Sequence, residues 1–190
     1  MSQLLQFYKS FQRRNQAPAP TFEDLTVDEN LTEIQRIVHY VQCSIGLRRL
    51  VHVKMLGEVA ISVGFDKTLA TIIPLLPALS RDSEQVVKQH LAEQLTIIAT
   101  FFFTKGGHEG YRAVIDNLLS VVAVLLEDDK LEVRQSASQT LVEIASYLEN
   151  EDIGQHILTI VLKLAHEDDK EEIRMTASQL FNLLAEHLGR

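Results

Sequence analysis

The residues with the chemistry to act as acids, bases or ligands are paired carboxylates, scattered histidines and a glycine cluster. Asp128-Asp129 and Asp168-Asp169 are adjacent carboxylates, the kind that does acid–base work when such groups converge in a pocket. They recur instead at one place in a repeated pattern, and a feature repeated in register serves the repeat. The seven histidines, at positions 39, 52, 90, 108, 156, 166 and 187, form neither a His-Glu-x-x-His helix nor a Cys/His zinc spacing. Gly106, Gly107 and Gly110 match a phosphate loop in composition only, because the Gly-Lys-Ser/Thr ending is missing and no strand precedes them. Cys43 is the one cysteine, so no intrachain disulfide can form, and a reducing cytoplasm or nucleus is expected. These observations predict a non-enzymatic chain with no catalytic, cofactor-binding or metal-ligating residues.

The carboxylate pairs are positioned by a repeat. Residues 128–148, DDKLEVRQSASQTLVEIASYL, and residues 168–188, DDKEEIRMTASQLFNLLAEHL, keep Asp-Asp-Lys, Glu, Arg, Ala-Ser-Gln, Ala and Leu in register, about 40 residues apart. Residues 82–102 fit the same template and residues 43–63 fit it more loosely, with Arg49, Lys88, Arg134 and Arg174 as the recurring cations. Only the interval from Lys88 to Arg134 is stretched, and it holds Thr104 to Gly110, a loop by composition. Inside a unit Val133, Ala137, Leu141, Ile144, Ala145 and Leu148 mark one buried helix face. A second apolar segment precedes each such helix: Ile34 to Val41, Leu69 to Leu79, Val114 to Leu126 and Ile157 to Ala165.

A two-helix unit of this size cannot bury both apolar faces alone and must stack on its neighbours. The predicted fold is therefore all-α: an open alpha-alpha superhelix, or armadillo-like solenoid, of about four two-helix units at residues 28–64, 66–103, 111–149 and 151–189. Periodicity leaves its hand open. Residues 1–25 are expected to hold a short amphipathic helix through Leu4, Leu5, Tyr8 and Phe11 and an Ala-Pro linker, with the array at 26–190. No polar cap follows the last second helix, which leaves a C-terminal apolar face for self-association. The run Phe101-Phe102-Phe103 reads as a helix end folded under a longer loop, with a docking patch as the alternative.

The turn between the two helices of a unit carries the remaining expectations. Asp129 and Asp169 are placed to cap the second helix, with Glu132 and Glu172 completing a capping box. Asp82, Lys88, Asp129, Arg134, Asp169 and Arg174 are expected to form an acid–cation ladder in which Arg134 and Arg174 reach the preceding unit's Asp. If exposed, each pair contributes only ~0–1 kcal/mol. Stacking sets equivalent turns side by side, so Arg81, Ser83, Glu84, Glu127, Asp128, Lys130, Glu167, Asp168 and Lys170 are predicted to form one polar partner-binding ridge. Arg81, Glu84, Lys130 and Lys170 are the side chains expected to be free to reach a partner.

A net charge of -8 and a sequence pI near 5.3 disfavour nucleic acid or an anionic membrane as partner, and 46% apolar content suffices for a buried core. The most apolar stretch, Leu69 to Leu79, is interrupted by Pro74 and Pro77 and is too short to span a bilayer, so no membrane partner is expected.

The unit resembles the HEAT repeat, through Pro74, Leu79, Asp82, Val87 and Lys88, then Asp128, Val133, Arg134, Ala137 and Leu141, then Asp168, Ile173, Arg174 and Ala177. Among HEAT proteins, LPALSRDSEQVVKQHLAEQL followed by LLEDDKLEVRQSASQTLVEIA is similar to the regulatory subunit of serine/threonine-protein phosphatase 4, itself similar to the protein phosphatase 2A scaffold subunit. This resemblance implies a right-handed superhelix and a non-catalytic subunit whose turns hold a phosphatase catalytic subunit or a targeting partner. The alternatives are another HEAT adaptor in transport or assembly and, from a different class, a HEAT-like lyase acting on bilin pigments.

Overall fold

The computed structural model describes residues 26–167 and 170–188. The helix expected over 1–14, the linker after it, and Asp168 and Asp169 lie outside the described residues.

The first unit opens on a capping box. The Thr32 hydroxyl accepts the Gln35 N–H, and the Gln35 side-chain oxygen accepts the Thr32 N–H, which satisfies donors at the start of α1, Glu33–Tyr40. Its second helix is interrupted and consists of α2, Gly46–Val53, and α3, Leu56–Val63. In the second unit two prolines divide the first helix into α4, Phe65–Thr71, a 3-10 turn Ile73–Leu75 and α5, Leu76–Leu79, since Pro74 and Pro77 have no N–H to continue a helix. The second helix is α6, Gln85–Lys105.

The third unit runs through α7, Gly107–Ala113, a π-helical segment Val114–Leu118 and α8, Leu119–Leu126, to α9, Leu131–Ala145. The fourth repeats this plan with α10, Asn150–Asp152, a π-helical segment Ile153–Ile157, α11, Leu158–Ala165, and α12, Glu171–Leu188. No strand occurs among the described residues, which form an all-α solenoid of stacked two-helix units.

The second helices carry the stack. α2 and α3 pack on α6, α6 on α9, and α9 on α12, whereas the first helices of successive units make few contacts with one another. The second-helix layer is thus the tighter one. Each seam in this layer holds a buried polar tie. The Gly57 N–H donates to Gln94 Oε1 at 2.9 Å, the Thr140 hydroxyl to the Ala92 carbonyl at 2.8 Å, and Arg134 Nε to Thr176 Oγ1 at 3.0 Å. Gln94 and Thr140 stand six residues after Lys88 and Arg134, so the tie recurs with the repeat. Around these ties Leu56, Leu91, Leu95, Ile98, Leu141, Ile144 and Leu180 are buried in one continuous apolar core.

The loop expected from Thr104 to Gly110 is instead a tight corner between α6 and α7. A Cβ at Gly110 would lie 2.2 Å from the Phe102 carbonyl oxygen, and one at Gly106 would lie 2.6 Å from Gly110 Cα. Gly107 has φ 55°. The cluster therefore meets a demand for close backbone approach and left-handed backbone, which loop composition mimics. Phe102 ends under this corner, fully buried and edge-on to Phe65, while Phe103 stacks on Tyr147 with centroids 4.9 Å apart.

Candidate protein-binding surface

The turn edge is held by the recurrent acid. Asp82 Oδ1 accepts the Glu84 N–H at 2.8 Å and Asp128 Oδ1 accepts the Lys130 N–H at 2.9 Å, closing the turn that starts each second helix. The remaining acceptor capacity is filled by a cation from the unit before. Arg49 reaches Asp82 through Nε and the Nη2 group at 2.6 and 2.8 Å, and Lys88 donates to Asp128. The cation in turn grips its own unit's turn: Arg49 donates to the Cys43 and Ser44 carbonyls, Arg134 to the Asp128 carbonyl and Arg174 to the Glu167 carbonyl. These Asp82 and Asp128 side chains are at most 9% exposed, so the pairs belong to the interior of the edge.

Four expectations are corrected by this geometry. The capping box at Asp129 and Glu132 does not form: Lys130 is the residue before α9, with no side-chain cap, and Asp128 binds the turn. Asp129 points outward and pairs with Lys170 at 2.9 Å. That hydrogen bond and charge hold the Asp129 carboxyl below its ordinary range and raise the Lys170 ammonium, so Lys170 is engaged and not free for a partner. The pairs run from a cation to the Asp of the following unit, not of the preceding one. Arg134 is 5% exposed and hydrogen-bonded to Thr176, not a solvated pair, because stacking of α12 on α9 covers it. The ladder residue Asp169 and the ridge residue Asp168 lie outside the described residues.

Of the ridge residues, Arg81, Ser83 and Lys130 are exposed, and Arg81 also donates to the Pro77 carbonyl at 3.2 Å. Glu84 and Glu167 are partly exposed, and Glu127 pairs with Lys163 at 2.6 Å. Arg81 and Lys130 hold no ion pair among the described residues. The ridge is a mixed-charge edge whose acids are mostly committed and whose outward cations are Arg81 and Lys130.

The second-helix layer presents a second surface. Between α3 and α6 lies a cavity of ≈ 610 Å³ bordered by Ile61, Ile97, Phe101, Thr96, Thr100 and Lys105. A second, of ≈ 460 Å³, adjoins it at Thr96 and is bordered by Glu93, Ser136, Gln139, Glu143 and Leu183. Ile61 and Leu183 are 53% and 40% exposed. Gln139 is an inner-face residue readable from helical phase, but Ile97 and Leu183 are legible only as apolar residues at the template position where Glu143 stands. Among the described residues no group of three His, Cys, Asp or Glu side chains is placed to hold a metal ion, and no helix is long and apolar enough to cross a membrane.

The model of the HEAT repeat family matches residues 118–148, from the end of the π-helical segment of the third unit through α8 and α9. The chain carries a HEAT repeat. HEAT units serve as protein–protein interaction scaffolds, and the neighbouring units stack on this one by the same second-helix packing. No curated protein matches the sequence. Among solved structures, two crystal structures of engineered proteins from a structural genomics consortium are similar, both with TM-score 0.53, at 24% and 21% identity. Each match covers 82% of this chain, which spans only 64% and 63% of those chains. At that identity the likeness concerns the fold alone.

Proposed function

We propose that the chain is a non-catalytic scaffold that holds or targets a serine/threonine protein phosphatase catalytic subunit through the ridge of intra-unit turns. The observation that carries this reading is the division of labour on the ridge. Asp82 and Asp128 are turned inward to fix the turns, and Arg81 and Lys130 are left outward on the equivalent turns of successive units. A rigid edge with free cations recognises an acidic surface at little ordering cost. The sequence likeness to a phosphatase regulatory subunit lies over these same two units, and the protein so read works in the cytoplasm or nucleus.

The test is titration of the full chain with a purified phosphatase catalytic subunit. Arg81→Glu with Lys130→Glu weakens binding by about tenfold or more while the helical signal and melting temperature stay as in the parent. Unchanged affinity in the double variant, or loss of affinity on substituting Gln135, Gln139 and Gln179 instead, places the contact elsewhere and defeats the ridge reading.

A further inference from the structure

The two adjoining cavities form a groove across the second helices, apolar at Ile61, Ile97 and Phe101 and again at Leu183, with Glu93 and Glu143 between these ends. Glu58 and Glu186 lie three residues from Ile61 and Leu183 on the same helices and are exposed. The groove itself is lined by two carboxylates, Glu93 and Glu143, against one lysine, Lys105. Glu93 is paired with His90, and Glu143 holds no ion pair among the described residues. The hydroxyls on the floor are largely engaged: Thr140 donates to the Ala92 carbonyl, Thr96 to Thr140, and Thr104 to the Thr100 carbonyl. An extended peptide would find few partners for its backbone there, whereas a helix brings its own backbone hydrogen bonds.

We infer that this groove is a docking site for a basic amphipathic helix of a protein partner, a second interaction surface distinct from the ridge. Its apolar stripe fills the Ile61–Ile97–Phe101 and Leu183 ends, and its Lys or Arg flank meets Glu93 and Glu143. Successive packed helices are about 8–10 Å apart, so a ligand crossing from α3 to α12 spans about 24–30 Å. At 1.5 Å per residue that is a helix of roughly 16–20 residues.

The probe is a fluorescent synthetic helix of about 18 residues with leucines at i, i+3, i+4 and i+7 and lysines on the flank, beside a control with glutamates in place of the lysines. Anisotropy titrations with the full chain give binding about tenfold or more tighter for the lysine peptide, weakening as salt is raised. Ile97→Asp, and separately Glu93→Lys with Glu143→Lys, each reduce the affinity by about tenfold or more, while Arg81→Glu with Lys130→Glu leaves it unchanged, which separates this site from the ridge. Ile97→Ser replaces Ile97→Asp if circular dichroism shows loss of helix. Equal binding of both peptides, or binding indifferent to the groove variants, overturns the inference. Two further results also overturn it. Sedimentation showing self-association that Ile97→Asp abolishes makes a second copy the occupant, and a gain in peptide affinity on Phe11→Asp makes the chain's own N-terminal segment the occupant.

Discussion

Replacing Arg49 by Ala removes the cation that ties the first unit to the second. The guanidinium makes two hydrogen bonds to the Asp82 carboxylate, at 2.6 and 2.8 Å, and two to the Cys43 and Ser44 carbonyls, both at 3.0 Å. Burial disfavours its charge, but the Asp82 hydrogen bonds outweigh that and raise its pKa above the ordinary value. Asp82 is 5% exposed, so the variant leaves a nearly buried carboxylate whose remaining partner is the Glu84 N–H. Losing one partner of a buried pair costs about 3–5 kcal/mol, and water entering the space left by the side chain reduces this to about 2–4 kcal/mol. In a chain of this size that lowers the melting temperature by roughly 5–15 °C. Arg49→Ala with Asp82→Ala removes the stranded charge and recovers part of the loss, a coupling that a double-mutant cycle measures. Lys170→Ala, at an ion pair on the open surface, leaves the melting curve unchanged within error. The assay is thermal and urea unfolding followed by circular dichroism, with the two cation variants side by side. Arg49→Ala within about 0.5 kcal/mol of the parent, or equal losses from the two variants, would refute the claim that the ladder is an interior feature of the edge.

Other outcomes are fixed by the same geometry. Gly57→Ala places a Cβ 2.7 Å from Ile97 Cγ2 and 3.0 Å from the Gln94 amide oxygen, so it should destabilise by about 1–3 kcal/mol in urea unfolding. His52 is 3% exposed, stacked on Tyr40, and burial lowers its pKa below 6.5. The unfolded chain therefore takes up this proton first, and stability present above about pH 6.5 is lost as the pH falls below it. Relative to the parent, His52→Phe should show a weaker decline in melting temperature between about pH 7 and about pH 5. Leu162 and Met175 of the last unit are 47% and 56% exposed, and Leu162→Glu should reduce any concentration-dependent self-association seen by sedimentation velocity.

The fold is legible in the sequence because a solenoid writes its packing into register. Val133 and Ala137 recur one unit on as Ile173 and Ala177, and all four are buried. The next match fails: the counterpart of the buried Leu141 is Phe181, which is 38% exposed, whereas Leu180 and Leu184 are buried like their counterparts Thr140 and Ile144. The helical phase is thus kept, while one core position of the last unit is left exposed. The corner at Gly106 to Gly110 is misread from composition because close backbone approach and an open loop draw on the same small residue. The turn chemistry is misassigned for a similar reason. Either Asp of a pair can close a turn, and only the stacking of α9 on α6, which brings Lys88 to Asp128, decides which one faces inward. Arg134 is expected at the surface because its burial depends on Thr176, 42 residues away. The groove residues are the least legible. Ile97 and Leu183 are ordinary apolar residues on amphipathic helices until the units are stacked and both are left exposed on the second-helix layer.

The claim that this array binds a phosphatase catalytic subunit is tested most directly by affinity capture. The full chain and its Arg81→Glu, Lys130→Glu variant are presented to a lysate of the protein's own source, and the retained proteins are quantified by mass spectrometry. The account predicts a serine/threonine phosphatase catalytic subunit enriched on the parent and depleted on the variant. Retention of other proteins with no phosphatase catalytic subunit among them would contradict it.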